Sequence, residues 1–208
     1  MFTRPWDIFF CEKIGHMLEE GSTLLDIGGS LRIDPSRNNR IEPKNAWIMP
    51  RIKELGVLYR VLDYVDTYHP DVVGDVQNLP LPDDSQPAIV CNAVLEHVEN
   101  PLKAAMELYR VLKPGGYCFL YVPFLYYYHA EQGYYGDYWR FTDDAIRSMC
   151  KPFSSIELMP VRGPLEALTR LTPLGRLSFM CDIGFLLDKA FNKLSSKQVG
   201  GYYVFLRK

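Results

Sequence analysis

The sequence predicts an α/β fold in which helices pack against a mainly parallel sheet. Hydrophobic residues are 48% and charged residues 23% of the 208-residue chain, as in folded globular proteins. Short apolar segments alternate with helical patterns, which is the order expected of a parallel α/β sheet. Residues 1–208 have the length of a single domain with its own core, so we assign them to one domain.

The first half of the chain predicts two helices and two strands. Apolar side chains recur on one helical face in residues 5–19, where Pro5 suits the first position and Gly21 marks the end. A short buried strand at 23–27 follows and runs into two glycines. The other segments are an irregular polar stretch at 31–46, a short helix at 47–55 ended by Gly56, and a strand at 57–62.

After residue 62 the chain repeats this alternation of strands and helices. Pro101 begins a helix that stops at the LysProGlyGly run, 113–116. We predict further strands at 71–73, 88–93, 117–122, 154–161 and 202–207, a short helix at 143–150, and helical patterns throughout 164–193.

Charge and cysteine usage restrict the function classes. A net charge of −2 argues against a strongly basic nucleic-acid binder, so we expect no nucleic-acid partner. The five cysteines are scattered without a CxxC pair, which indicates a reducing compartment and predicts a cytoplasmic protein. The charged, amphipathic start lacks an apolar signal core, and no stretch has the length of a membrane span.

The first chemistry-bearing segment is LLDIGGS, residues 24–30. Ligands of open α/β sheets bind beyond the carboxyl ends of the strands, and glycine allows backbone to approach them closely. Only Gly28 and Gly29 are present, so this is not the dinucleotide fingerprint GxGxxG. The preceding carboxylate, Asp26, suits an ammonium or sulfonium ligand; the alternative is a tight turn with a solvated Asp26.

Two further aspartates follow predicted strands. Asp63 ends the second strand, where a carboxylate can accept both ribose hydroxyls. Its distance from Asp26 exceeds the ~20 residues usual for this role, and the polar insertion accounts for the excess. Asp66 competes for the role, and either residue can instead belong to a turn. Asp75 could accept an adenine amine, with the backbone N–H of Val76 beside it.

Between Leu24 and Val122 the chain resembles a class I S-adenosylmethionine-dependent methyltransferase. The resemblance rests on LLDIGGS, VVGDVQNLPLPDDS and IVCNAVLEHVENPLKAAMELYRVLKPGGYCFLYVPF, in this order. It implies a Rossmann-like, seven-stranded, mainly parallel sheet with an antiparallel last strand, helices on both faces and a helical insertion before that strand. It also implies S-adenosylmethionine as cofactor and S-adenosylhomocysteine as product.

The resemblance also assigns cofactor contacts. Ser30 stands where the family usually has glycine. The implied ligands are Asp26, Gly28 and Gly29 for the methionine part, Asp63 for the ribose, Asp75 for the adenine amine, and Asn92 beneath the methionine part. LEHV recurs in this fold with many substrates, so we interpret Glu96 and His97 as structural. No carboxylate–histidine cluster stands out along the chain, and we predict no metal site.

The segment 123–144 is the candidate acceptor loop, because half of the residues from Phe124 to Phe141 are aromatic. Tyrosine-rich loops offer stacking faces and hydroxyls. We predict His129 as the catalytic base and Tyr128, Tyr138 and Arg140 as acceptor ligands. The alternative is a lid packed by its own aromatics, with Arg140 paired to a nearby aspartate. The pattern HxxxxxxxxYWRFT resembles a methyltransferase branch found beside polysaccharide-synthesis functions.

The insertion at 164–193 has three interpretations. We favour a helical cap over the acceptor pocket to a dimer face or a peripheral membrane contact, because Asp182 and Asp188 interrupt its apolar face.

The predicted function is methyl transfer to an oxygen or nitrogen of a small molecule or saccharide. A catalytically degenerate cofactor-binding or scaffold domain is the alternative, supported by Ser30 and the 31–46 insertion. A nicotinamide oxidoreductase is disfavoured by the missing GxGxxG. The sequence leaves the oligomeric state open.

Overall fold

The computed structural model describes residues 4–37 and 39–208, and in this part of the chain seven strands form one sheet. Their spatial order is β3-β2-β1-β4-β5-β7-β6. Strands β1 to β5 pair in parallel, while β7 runs antiparallel to both β5 and β6. The strands are β1 (Thr23–Ile27), β2 (Leu58–Asp63), β3 (Val72–Val73), β4 (Gln86–Asn92), β5 (Leu112–Pro123), β6 (Ser155–Val161) and β7 (Gly201–Arg207). The predicted fold class is confirmed.

Helices cover both faces of the sheet because successive strand side chains point to opposite sides. On one face Leu25 and Leu120 pack with residues of α3 and α4. On the other, Leu24 and Phe119 pack with residues of α1 and α2. The helices are α1 (Pro5–Glu20), α2 (Ile48–Leu55), α3 (Pro101–Val111), α4 (Asp143–Met149), α5 (Pro164–Leu171) and α6 (Ser178–Ala190), with 3-10 turns at Pro35–Arg37, Pro43–Asn45, Leu95–His97 and Pro173–Arg176.

Two element boundaries differ from the sequence predictions. The LysProGlyGly run, 113–116, ends α3 as expected but is itself the start of the long strand β5. The helical pattern of 164–193 is divided into α5 and α6 by a short turn at Pro173–Arg176. Proline lacks the N–H that a continuous helix needs there, and Gly175 packs against the backbone of Arg170, where a Cβ would not fit.

The α5–α6 hairpin is joined to α1 and to the sheet. The Phe185 ring makes an edge-on contact with the Trp6 ring at 5.8 Å, and Arg4 pairs with Asp182 at 2.7 Å. Asp188 is fully buried, and its two oxygens accept the N–H groups of the first turn of α5. Asp188 therefore points inward, and the expectation that it interrupts the apolar face of this insertion is wrong. The role of the α5–α6 hairpin as a cap over the acceptor pocket stays a prediction.

The exposed side of α6 carries an apolar stripe at helical spacing, formed by Phe179, Ile183, Leu187 and Phe191. No helix among residues 4–37 and 39–208 combines the length and apolar character of a membrane span. All five cysteines carry free thiols, and four of them are buried.

Candidate functional site

The loop after β1 is a tight turn with two left-handed residues. Gly28 has φ +76° and Gly29 has φ +54°, a region that residues with a Cβ enter only at a cost. The N–H of Gly28 donates to the Leu62 carbonyl at 2.7 Å, which ties the loop to the end of β2. A Cβ on Gly28 would lie 2.8 Å from the Val94 side chain, so the loops after β1 and β4 lie in close contact.

Asp26 holds this loop from below. Its Oδ1 accepts the backbone N–H and the hydroxyl of Ser30 at 2.9 and 2.7 Å. Its Oδ2 accepts the N–H of Leu31 at 3.0 Å and the hydroxyl of Tyr59 at 2.7 Å. Burial raises the pKa of Asp26, and these four donors oppose that rise. Because both oxygens of Asp26 accept hydrogen bonds, this carboxylate fixes the conformation of the loop. Tyr59 contributes to the same hydrogen-bond network, and no sequence pattern indicated this role.

Ser30 connects the loop to the next strand. While its hydroxyl donates to Asp26, its Oγ accepts the N–H of Asn92 at 3.3 Å. A glycine could make neither contact. The serine that departs from the family pattern therefore braces the ends of β1 and β4 against each other.

Asp63 lies at the carboxyl end of β2, beside the glycine turn. It is 9% exposed, and burial raises the pKa of its carboxyl. One of its oxygens accepts the Val65 N–H at a long 3.4 Å. Asp66 is exposed in the following turn, and the assignment of the ribose to Asp63 stays a prediction.

Tyr134 of the acceptor loop lies close to Asp63, which contributes to raising the pKa of its phenol after the larger effect of burial. Its ring contacts Tyr68 edge-on at 6.1 Å, and its hydroxyl is buried without a hydrogen-bond partner in the described part of the chain. A buried hydroxyl without a partner is costly unless a ligand or water satisfies it. Sequence reasoning missed Tyr134, although its position within the aromatic loop was the available signal.

The remaining cofactor candidates lie around the same edge of the sheet. Asp75 accepts the Gln77 N–H at 2.8 Å and so fixes its own turn, while Val76 is a core residue. The amide oxygen of Asn92 is buried at the end of β4 and has no hydrogen-bond partner among the residues that the structure describes. The adenine role of Asp75 and Val76 stays a prediction.

These features fit the predicted cofactor. The glycine turn presents backbone without side chains at the end of β1, and Asp63 offers carboxylate oxygens for hydroxyl groups. The Asn92 oxygen, at the end of β4 on the other side of β1 from β2, is a further acceptor. In the Rossmann-like fold, such groups at the carboxyl ends of adjacent strands face the ligand crevice.

The acceptor loop is fastened to the LEHV turn. The N–H groups of Tyr138 and Trp139 donate to the Glu96 carbonyl at 2.8 and 3.2 Å. The indole N–H of Trp139 donates to the Val98 carbonyl, and the His97 Nδ1 lies 2.6 Å from the Gly136 carbonyl. LEHV is thus structural, as expected, but it also places the side chains of Glu96 and His97 against the acceptor loop.

His129, the predicted base, points toward Glu96. Its Nε2 lies 3.8 Å from the Glu96 Oε1, and the Nε2 of His97 lies 3.9 Å from the same oxygen. Interaction with Glu96 is the main cause of a raised pKa of His129. Sequence spacing gave no sign of this cluster, because His129 and Glu96 meet only through the folding of the loop.

Arg140 is committed to the loop itself. Two of its N–H groups bind both oxygens of Asp137 at 2.6 and 2.8 Å, and the others donate to carbonyls of Tyr126, Tyr127 and Trp139. These contacts use all five guanidinium donors. In the structure Arg140 thus positions the loop, and its role as an acceptor ligand stays a prediction.

A cavity of about 530 Å³ lies within the acceptor loop and is lined by residues 128 and 130–136. Tyr128 is 75% exposed and lines this cavity, while Tyr138 is 54% exposed on the same loop. Both rings are accessible to a ligand, so their role as acceptor contacts remains a prediction.

Comparisons with known proteins agree with this geometry. A family described as "Methyltransferase domain" matches residues 54–120. A biotin biosynthesis bifunctional protein, BioHC, from Teredinibacter turnerae is 29% identical over 106 residues, which are 47% of this chain and 19% of that protein. The alignment thus spans less than a fifth of that relative.

Solved structures share the whole fold at low identity. A SAM-dependent methyltransferase from Archaeoglobus fulgidus superposes with a TM-score of 0.61 at 14% identity, covering 99% of this chain and 95% of the other. Phosphoethanolamine N-methyltransferase 2 of Haemonchus contortus, crystallised with S-adenosyl-L-methionine, gives 0.56 at 17% identity over 97% and 51%. The chain therefore has the fold of these solved methyltransferases, and its segment 54–120 matches the family described as "Methyltransferase domain".

Proposed function

We propose that the protein transfers a methyl group from S-adenosylmethionine to an oxygen or nitrogen of a small molecule or saccharide. The observation that carries this proposal is that three neighbouring parallel strands end in such groups at one edge of the sheet. Gly28 follows β1 and presents backbone without a side chain, while Asp63 at the end of β2 and Asn92 at the end of β4 offer oxygen acceptors.

The cofactor supplies an electrophilic methyl: the acceptor lone pair forms the new bond while the C–S bond breaks, its electrons stay on sulfur, and the acceptor proton leaves. The protein has to hold the acceptor in line and remove that proton. His129 lies on the acceptor loop, with Asp137 holding its backbone N–H at 2.8 Å. His129 is therefore our candidate for the base that accepts this proton.

The lining of the acceptor side supports a ring-shaped or sugar acceptor. Tyr128, Tyr134 and Tyr135 line the cavity and offer stacking faces with few rotatable bonds. Arg162 interacts electrostatically with Tyr126 of this loop and donates to the Tyr121 hydroxyl at 3.5 Å. A guanidinium with donors to spare suits a carboxylate or phosphate on the acceptor.

The first test is calorimetric titration of the purified protein with S-adenosylhomocysteine. We expect micromolar binding that Asp63→Ala abolishes, whereas Asp66→Ala, three residues further on and exposed, retains it. NAD serves as the negative control ligand. If the unsubstituted protein binds S-adenosylhomocysteine no better than NAD, the enzyme proposal is wrong.

The second test separates an enzyme from a scaffold. Methyl-labelled S-adenosylmethionine is incubated with a panel of acidic and neutral saccharides and small amines, and label transfer is counted. Transfer to a class of acceptors supports the enzyme. Cofactor binding without transfer to any acceptor, and without slow hydrolysis of the cofactor, would favour the catalytically degenerate domain.

A further inference from the structure

Three side chains with metal-binding atoms converge at the edge of the acceptor site. The Oε1 of Glu96 lies 3.9 Å from the His97 Nε2 and 3.8 Å from the His129 Nε2. The candidate ligand atoms of the three residues all lie within 4.8 Å of one another. We propose that Glu96, His97 and His129 bind a divalent transition-metal ion, with Zn²⁺ as the best fit to two imidazoles and one carboxylate.

The hydrogen bonds of both imidazoles leave their Nε2 atoms free to coordinate. The Nδ1 of His97 lies 2.6 Å from the Gly136 carbonyl, an acceptor that requires Nδ1 to carry the proton. The Nδ1 of His129 lies 3.1 Å from the Tyr127 carbonyl and 3.2 Å from the Asp137 carboxylate. Metal-binding histidines are held in this way, by an oxygen acceptor on the nitrogen opposite the metal.

Glu96 provides an independent indication. Its side chain is 1% exposed, and its Oε2 is buried with no hydrogen-bond partner among residues 4–37 and 39–208. A buried carboxylate without donors on one oxygen is costly, and an ion is one of the few partners that satisfies it. Because the Nε2 atoms of both imidazoles face the same carboxylate oxygen, one metal ion could bind all three side chains.

The three side chains leave part of a coordination sphere open. The side chains of His97 and His129 are 11% and 22% exposed, so solvent or an acceptor can reach the ion position. Catalytic zinc sites keep such an open position beside three protein ligands. A carbohydrate diol or hydroxyl could bind there, where a Lewis acid lowers its pKa and fixes its orientation.

This inference deepens the proposed function, because it assigns activation of the acceptor to the ion rather than to His129 alone. The test begins without methyl transfer. Protein stripped with a chelator is titrated with Zn²⁺, and metal content after dialysis is measured by mass spectrometry. We expect about one ion per chain. Loading with Co²⁺ should give visible bands typical of nitrogen and oxygen ligands.

Two substitutions separate this site from surface binding. Glu96→Gln and His129→Gln should each weaken Zn²⁺ binding by about 100-fold or more, since loss of mere supporting contacts already costs ~10–100-fold. His16→Gln is the control, because His16 packs on Tyr117 and Phe205 on the α1 side of the sheet. It should leave Zn²⁺ binding unchanged.

The outcomes distinguish the metal site from the proposed function. Retained S-adenosylhomocysteine binding in Glu96→Gln shows that the cofactor site survives while the metal site is lost. Metal binding with no binding of S-adenosylhomocysteine would overturn the proposed function and leave the metal site standing. Less than about 0.1 ion per chain, or equal Zn²⁺ affinity in Glu96→Gln and the unsubstituted protein, would overturn the metal site and favour a proton shared by His129 and Glu96.

Discussion

The Asp137 carboxylate holds His129 at two atoms: Oδ2 accepts its backbone N–H at 2.8 Å and lies 3.2 Å from its Nδ1. The same carboxylate is gripped by two N–H groups of Arg140. Arg140 also lowers the pKa of Asp137 strongly, so the carboxylate stays ionised. The position of the imidazole therefore depends on a guanidinium that does not touch it.

Replacing Asp137 with Asn should reduce methyl transfer by about 10–100-fold, because the imidazole loses its anionic acceptor and the Arg140 clamp loosens. Titration should show S-adenosylhomocysteine affinity within about twofold of the unsubstituted protein. Asp144→Asn is the matched control, since the Asp144 side chain is 86% exposed. An unchanged rate in Asp137→Asn would contradict a positioning role.

The role of the glycine turn can be tested with alanine substitutions at two glycines that both have a left-handed φ, Gly28 and Gly56. Gly28→Ala should destabilise the fold by about 1–2 kcal/mol through its left-handed φ and lower S-adenosylhomocysteine affinity at least tenfold, because the new methyl meets Val94. Gly56→Ala has φ +67° but open space around the new Cβ. It should show the stability loss alone in urea unfolding. Equal affinities in the two variants would argue against the turn as cofactor cradle.

Tyr59→Phe removes one of the four hydrogen bonds to the buried Asp26 carboxylate. We expect a loss of about 1.5–3 kcal/mol in the free energy of unfolding, as for hydrogen bonds to charged groups. Urea unfolding with and without S-adenosylhomocysteine measures both stability and cofactor linkage. The control is Tyr64→Phe, whose ring is 67% exposed and which should stay within about 0.5 kcal/mol.

Asp188→Ala should cost about 2 kcal/mol, because the N–H groups of Leu165 and Glu166 lose their acceptors in a buried helix start. Asp182→Asn, which removes the half-exposed partner of Arg4, should cost less than about 1 kcal/mol. Thermal unfolding of the two variants compares them directly. A larger loss for Asp182→Asn would mean that the hairpin is held chiefly through α1.

Much of the fold followed from local patterns. LLDIGGS combines a buried strand, an acid and two glycines in seven residues, so the turn and its position at the sheet edge could be inferred from spacing alone. The bracing role of Ser30 could not, because the Asn92 N–H that it accepts lies in another strand. Contacts between distant segments depend on the register of the sheet, which local periodicity does not encode.

The acceptor loop shows more clearly what could not be predicted from the sequence. The aromatic loop was recognisable by composition, and His129 was singled out by its chemistry. That Glu96 faces His129 depends on Tyr138 and Trp139 anchoring the loop to the LEHV carbonyl. Likewise, Arg140 looked available to an acceptor because sequence reports its charge and not how many of its donors are already engaged.

The placement of β7 between β5 and β6 has a consequence for the order of folding. In the described sheet, β6 (residues 155–161) is an edge strand that pairs with β7 (residues 201–207), which is synthesised later. Until that strand emerges and inserts, β5 and β6 both present open backbone edges in the nascent chain. The growing polypeptide therefore exposes two unpaired strand edges while some forty further residues are synthesised. During this interval a chaperone or a strand of another chain can bind to these edges.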